Sequence, residues 1–291
     1  MSGPGKLNLI GLFGFPVEHS LSPAMHNAAI AALHLSYSYI PFSVRPEDLG
    51  PAIRSLKILS IRGVNLTIPH KISALPFMDE VTDEVKMVGA MNTVVNEDGR
   101  LVGHTTDGAG LSRSLAEIGF CCANKPALIL GAGGAARSAA FQLAKEGSSL
   151  ILVNRTIDRA ETLAQDIARY YPSTEVDVVE SRDEKRFRKS LLRAEFLVNA
   201  TSVGMYPDVD VAPPIPSNSL HPNLTTLDMI YNPHRTRLLI EAEAAGGKVV
   251  NGLPMLVYQG AESFRIWTGI DPPTDVMLQT AEGILRDSRT I

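Results

Sequence analysis

Cysteine is nearly absent from this chain. Two of 291 residues are cysteines, and they are neighbours, Cys121 and Cys122. Adjacent thiols cannot staple distant segments, so a disulfide framework is excluded and a reducing, cytoplasmic setting is expected. Charge of one sign is also missing. The 27 basic side chains stand against 31 acidic ones, a formal net charge of −4, which leaves no electrostatic footprint for nucleic acid. No apolar run reaches the roughly 18 residues that a membrane span needs. The opening MSGPGKLNLIGLFGF has a single lysine and no small-residue cleavage site behind a long apolar stretch, unlike a secretory leader. None of the seven histidines sits in an HExxH or cysteine-paired zinc spacing, so no metal is expected. His70 reads as a surface histidine at a helix start. What remains is 45% apolar and 20% charged residues, ordinary globular composition in a length that suits two modest domains.

Short apolar or β-branched runs alternate with helix-period segments, which reads as α/β. The first third offers strands at 7–15, 37–44 and 63–68, with helical patterns at 23–35 and 48–59. Residues 91–95 and 100–104 flank Glu97-Asp98-Gly99 and read as a hairpin around an Asp-Gly turn. A helix at 108–118 bridges to a second unit. There, strands are expected at 126–130, 149–153, 175–179, 196–200, 226–230 and 248–250, and helices at 157–170 and 236–245. Residues 255–268 and 275–286 read as closing helices, and 208–222 as a long proline-rich loop. The run 182–189 has seven charged residues in eight and reads as a solvated helix face.

The clearest chemical signal is GAGGAA at 131–136, the spacing G-x-G-x-x-A between a strand and a helix. Gly131 suits a tight turn, Gly133 a close backbone approach to a pyrophosphate, and Ala136 close helix–strand packing. Ala132, Gly134 and Ala135 complete the loop, whose helix amino terminus offers unpaired N–H groups to phosphates. The next strand ends in Asn154, Arg155 and Thr156, with Arg159 one turn later. The acid that would hold a free ribose 2′-hydroxyl is missing there. Guanidinium groups and a hydroxyl would instead bind a 2′-phosphate, which points to NADP over NAD.

The amino-terminal part carries polar residues where a core would not choose them. Singly, each has a mundane reading: Ser22 before Pro23 is a good helix cap, and Asp107 another. Together they change the picture. HSLSP at 19–23, GVNLTIPHK at 63–71, GAMNT at 89–93 and TDG at 106–108 closely resemble strings of the shikimate dehydrogenase family. So do GAGGAAR at 131–137, NRT at 154–156, NATSVG at 199–204, DMIYNP at 228–233 and GLPMLVYQ at 252–259. The resemblance runs from residue 7 to about 270, in the family's order.

It implies a discontinuous α/β substrate domain, residues 1–106 and 252–291, and an inserted Rossmann-type NADP-binding domain, residues 107–251, with a cleft between them. The implied activity is NADP-dependent interconversion of 3-dehydroshikimate and shikimate in aromatic biosynthesis. The partner would be this small-molecule substrate, and the resemblance leaves room for a homodimer. By the resemblance Ser20 and Ser22 bind the substrate carboxylate. Asn65, Thr67, Asn92, Asp107 and Gln259 hold its hydroxyls, and Lys71 and Asp107 form the catalytic pair. Thr201, Met229, Tyr231 and Gly252 would line the nicotinamide and substrate side of the cleft.

Chemistry gives the lysine an independent reason. Hydride delivery to a ketone builds negative charge on oxygen, which an ammonium in reach can stabilise and protonate; in reverse, the amine is the base. A neighbouring carboxylate favours the ammonium form, so Asp107 reads mainly as an orienting and substrate-binding group. The sister activity, quinate/shikimate dehydrogenase, often with NAD, shares YQGAE at 258–262 and WTG at 267–269. Relatives that use quinate well often carry threonine at the second serine, so Ser22 resembles the shikimate-selective form. A non-catalytic cofactor-sensing module is the reading from another class, and an intact Lys71, Asp107 and serine pair speaks against it.

Overall fold

The alternating runs fold into two six-stranded sheets, seen in a computed structural model that describes residues 7–287. The chain divides into two compact units, one comprising residues up to Gly110 and from Leu256 onward, the other Leu111–Met255. It passes between them within α5 (Asp107–Glu117) and α10 (Leu253–Thr268).

In the first unit β1 (Asn8–Gly14), α1 (Ser22–Ala32), β2 (Tyr37–Ser43), α2 (Leu49–Ile58) and β3 (Gly63–Leu66) come first. Then follow α3 (His70–Ser73), β4 (Glu80–Val81), α4 (Asp83–Val88), β5 (Thr93–Glu97) and β6 (Arg100–His104), with α11 (Thr274–Asp287) after α10. The sheet order is β2-β1-β3-β5-β6-β4. β1 runs parallel to β2 and β3, whereas β5 is antiparallel to both β3 and β6. The β5–β6 hairpin turns on Asp98 and Gly99, both at positive φ (51° and 94°), as an Asp-Gly turn requires.

Successive β1 side chains serve opposite faces, the period-2 rule of a strand covered on both sides. Ile10 and Leu12 pack with Met25, Phe264, Trp267 and Met277 of α1, α10 and α11. Phe13 packs with Leu49, Ile53 and Leu56 of α2. Gly63 is glycine because a β-carbon there would lie 2.3 Å from the Trp267 indole nitrogen, which donates to the Val94 carbonyl.

The second unit is made of β7 (Pro126–Leu130), α6 (Gly134–Lys145), β8 (Ser149–Asn154), α7 (Ile157–Tyr170), β9 (Val176–Glu180) and α8 (Glu184–Arg193). β10 (Phe196–Asn199), β11 (Thr225–Asp228), α9 (Arg237–Ala244) and β12 (Lys248–Val250) complete it. All six strands are parallel in the order β12-β11-β10-β7-β8-β9, the 3-2-1-4-5-6 arrangement of a doubly wound Rossmann sheet.

Two sequence expectations need correction. His70 is fully buried, not a surface residue; its Nε2 lies 2.7 Å from the Val44 carbonyl oxygen, on the inner face of the one-turn α3. Ser22 does not cap α1: it is already helical, and its own N–H donates to Ser20 Oγ. The charged run at 182–189 lies on the solvated face of α8 as expected, with Phe187, Ser190 and Leu191 buried on the opposite face. No helix among the described residues is long and apolar enough to cross a membrane.

Candidate active site

The first unit gathers its polar strings at one end of its sheet, for a topological reason. β1, β3 and β6 point the same way, so their carboxyl ends share an edge, and antiparallel β5 begins at that edge. Ser20 and Ser22 follow β1, Thr67 and Lys71 follow β3, Asn92 precedes β5, and Asp107 follows β6. Lys71 Nζ meets Asp107 Oδ2 at 2.6 Å, and the two side chains are only 19% and 5% exposed. The other carboxylate oxygen accepts from Asn92 Nδ2 at 3.0 Å. Asp107 therefore spends its side chain on Lys71 and Asn92.

Asn92 Nδ2 has three acceptors in reach: Thr106 Oγ1, Asp107 Oδ1 and Gln259 Oε1, at 2.8, 3.0 and 2.9 Å. An amide NH₂ has two hydrogens, so one of the three is free to receive another donor. Asn65 is 5% exposed, and its Nδ2 faces the Asn92 carbonyl, Thr93 Oγ1 and Ser263 Oγ. The Tyr39 hydroxyl donates to Asn65 Oδ1 at 2.8 Å. Asn65 is thus engaged within the unit, with one lone pair of Oδ1 left over.

Of the residues singled out in the sequence, the structure brings Lys71, Asp107, Asn92, Asn65 and Gln259 together. The half-buried Ser20 and Thr67 and the buried Ser22 hydrogen-bond to none of these side chains, and Tyr231 lies in the second unit. Tyr39 and Ser263 belong to the cluster and were missed, and Thr93 and Thr106, present in the strings at 89–93 and 106–108, were given no role there. A signal existed for Ser263: it stands four residues after Gln259, on the same face of α10, and donates to the Gln259 carbonyl.

In the second unit Gly131 has φ +107°, and a β-carbon there would lie 3.3 Å from the Ala200 oxygen and Thr201 Cγ2. The loops leaving β7 and β10 therefore abut where the strand order reverses, the place where such sheets bind ligands. Gly133 is exposed, with nothing within 4 Å of where its β-carbon would stand. The 12-residue α6 begins at Gly134 with no side-chain cap, so its first N–H groups are available to phosphate oxygens. Ala132 and Ala135 are half-buried and Ala136 is buried, as the motif demands.

At the end of β8, Asn154 Nδ2 donates to the Thr156 carbonyl and fixes the turn. Arg155, Thr156 and Arg159 are exposed beyond it, and neither guanidinium has a hydrogen bond or ion pair to another described residue. Arg137, in contrast, is tied to Asp166 at 2.6 Å. An uncapped helix start, an open Gly133 and two guanidinium groups unpaired among the described residues fit a dinucleotide with an additional phosphate.

Thr201 donates through its N–H and hydroxyl to Asn199 Oδ1, at 3.1 and 2.7 Å. Met229 is half-buried beside Gly252, whose β-carbon would lie 2.3 Å from the Met229 oxygen. Burial pushes the Asp228 carboxyl up to about 6, against the hydrogen bonds it accepts. The Cys122 thiol is pushed up to about 12, chiefly by burial, and stays an unreactive thiol near neutrality.

Residues 12–94 match the shikimate dehydrogenase substrate binding domain, 114–202 the shikimate/quinate 5-dehydrogenase domain, and 252–282 the shikimate 5′-dehydrogenase C-terminal domain. The shikimate dehydrogenase (NADP(+)) of Desulforamulus reducens is 44% identical over 275 residues, covering 94% of each chain. That of Methanococcus maripaludis is 43% identical over 281 residues, 97% of this chain and 99% of the relative. Among solved structures, a shikimate dehydrogenase in complex with NADP+ superposes with a TM-score of 0.88 at 42% identity, covering 96% of both chains. The Thermus thermophilus shikimate 5-dehydrogenase in complex with NADP(H) and shikimate gives 0.84 at 39% identity, over 94% of this chain and 98% of that one.

Proposed function

The chain belongs to the shikimate dehydrogenase family, and from that membership we infer that it catalyses the reversible, NADPH-dependent reduction of 3-dehydroshikimate to shikimate. The observation that carries the residue roles is the Lys71–Asp107 pair at 2.6 Å, its carboxylate buried and its lysine half-buried, held by Asn92 at the shared sheet end. NADPH, when bound, supplies the hydride that turns the ketone carbon into a carbinol. As charge develops on the former carbonyl oxygen, the Lys71 ammonium stabilises it and gives up a proton, leaving a neutral alcohol. Asp107 aims that ammonium. The carboxylate and amide partners around it are already fixed, so little reorganisation accompanies the reaction.

Ser20 and Ser22 bind the substrate carboxylate in this reading, each able to give one hydroxyl proton. Thr67, Asn92, Gln259 and the free lone pair of Asn65 hold the ring hydroxyls. The unit that runs up to Gly110 and resumes at Leu256 is the substrate domain, and Leu111–Met255 the NADP-binding domain. Gly131, Ala132, Gly133, Gly134 and Ala135 cradle the pyrophosphate, and Asn154, Arg155, Thr156 and Arg159 hold the 2′-phosphate. Thr201, Met229 and Gly252 line the nicotinamide, with Tyr231 toward the substrate. Two free cysteines, one exposed and one buried, support a cytoplasmic setting. The purified chain with NADPH and 3-dehydroshikimate should consume NADPH and yield shikimate by chromatography. NADPH loss without shikimate, or no loss, overturns the reading.

A further inference from the structure

Asn199 and Asp228 are the last residues of adjacent parallel strands, partners in the β10–β11 register, and both are fully buried. Asn199 uses both halves of its amide. Its oxygen accepts from the Thr201 N–H and hydroxyl, and its Nδ2 donates to Asp228 Oδ1 at 3.0 Å. Asp228 Oδ1 also accepts the Ile230 N–H at 3.1 Å, and Oδ2 accepts the Thr236 hydroxyl at 2.7 Å. Thr236 in turn caps α9 through the Leu239 N–H. The pair therefore ties the loop after β10 to the loop after β11. A third segment rests on the same backbone: the Gly252 N–H donates to the Ile230 carbonyl, and its missing β-carbon leaves room for Met229.

We propose that Asn199 and Asp228 are positioning residues for the reactive end of the cofactor, acting through Thr201 and Met229, which they hold in one fixed arrangement. This rests on the NADP reading above. Residue chemistry supports it. Only a side chain with donor and acceptor can face Thr201 and Asp228 together, and only an acceptor-only group can take three donors from one corner. Burying a carboxylate has a real cost, visible in the raised Asp228 pKa. An apolar pair would join two strand ends without that cost, so the polar pair serves the placement of the loops. The phosphate-binding segments at 131–136 and 154–159 lie on other strand ends and receive no bond from it.

The experiment exploits that separation. Adenosine 2′,5′-bisphosphate carries the 2′-phosphate end of NADP+ without the nicotinamide. Calorimetric titration of wild type with both ligands comes first; failure to bind NADP+ overturns the cofactor reading and not this one. With binding established, Asp228→Asn and Asn199→Asp should weaken NADP+ by about tenfold, the size of one net hydrogen bond. Bisphosphate affinity should stay within about twofold of wild type. Gly252→Ala, whose methyl would press on the Met229 backbone and the Asp228 carbonyl while leaving the Asn199 and Asp228 side chains in place, should give the same split and covers the case of a variant that does not fold. Equal losses for both ligands would reduce the pair to a structural role, and unchanged NADP+ affinity would remove it from positioning; either result overturns the proposal.

Discussion

His26 makes a quantitative test of the first unit's core. It is fully buried on α1, its ring stacked on Tyr39 with centroids 4.3 Å apart and flanked by Phe264 and Trp267. Neither ring nitrogen has a hydrogen-bond partner among the described residues. Desolvation alone lowers its pKa from 6.5 to about 3. The folded state refuses a proton that the unfolded chain accepts below pH 6.5. Stability from this residue is therefore complete above that pH and lost as pH falls toward 3. At pH 5 the unfolded imidazole is almost fully protonated and the buried one is not, a loss of about 2 kcal/mol by linkage.

Asp228 runs the other way. Its carboxyl is raised from 3.8 to about 6, so its contribution is fully present below 3.8 and lost as pH rises through 6. Acidification from pH 7 to 5 returns about 1 kcal/mol at that site, and the wild-type profile alone mixes the two. The His26→Phe variant separates them. Phenylalanine keeps the stack and removes the titration; any packing cost is an offset that does not change with pH. Calorimetric melting at pH 7 and pH 5 should show wild type losing about 4–8 °C more than the variant, at about 2–4 °C per kcal/mol for a unit of this size. Parallel profiles for the two proteins would refute the reasoning, since the imidazole would then titrate alike folded and unfolded.

Replacing Arg155 with alanine should raise KM for NADP(H) by about 10- to 150-fold, the worth of a hydrogen bond to a charged group, and leave that for NAD(H) nearly unchanged. Equal losses with both cofactors would take the arginine off the 2′-phosphate. Lys71→Ala should lower kcat by about 10²–10⁴, while shikimate affinity by direct titration falls much less; a variant that keeps most of its kcat would remove Lys71 from the chemistry. With NADP+, kcat/KM for shikimate should exceed that for quinate by at least about tenfold. Quinate's extra hydroxyl beside the buried Ser22 would be left unpaired at about 1–3 kcal/mol. Comparable values would refute that selectivity.

The nucleotide-binding half was the more legible in sequence because its central strands β7, β8 and β10 are buried on both faces and read as near-continuous apolar runs. The helix expected at 157–170 is α7 to the residue. Short elements escaped, since α3, β4 and α4 are too brief to show a period. The ends of α4 were nevertheless marked: Thr82 caps it by accepting from the Val85 N–H, and Gly89 closes it at φ 68°. His70 was misread because one turn of helix has no visible apolar stripe; which face of α3 turns inward depends on Val44, 26 residues away. The Asn65–Ser263 bond spans 198 residues, and no local pattern encodes it.

The choice of lysine at position 71 has a reason that only the sheet order supplies. β3 and β6, which deliver Lys71 and Asp107, are not neighbours; β5 lies between them. Strands two apart in a sheet stand about 9–10 Å from each other. An aspartate covers only a fraction of that span, so a long cation suits the β3 side, and Lys71 closes the gap to a 2.6 Å contact. The intervening strand begins between them, and its preceding residue is Asn92, which is why one short amide can brace Asp107 from the side. Antiparallel β5 also makes β3 and β6 point the same way. Were β5 parallel to both, its carboxyl end would meet theirs, its first residue would lie at the far edge, and Asn92 would be a strand's length from the carboxylate it orients.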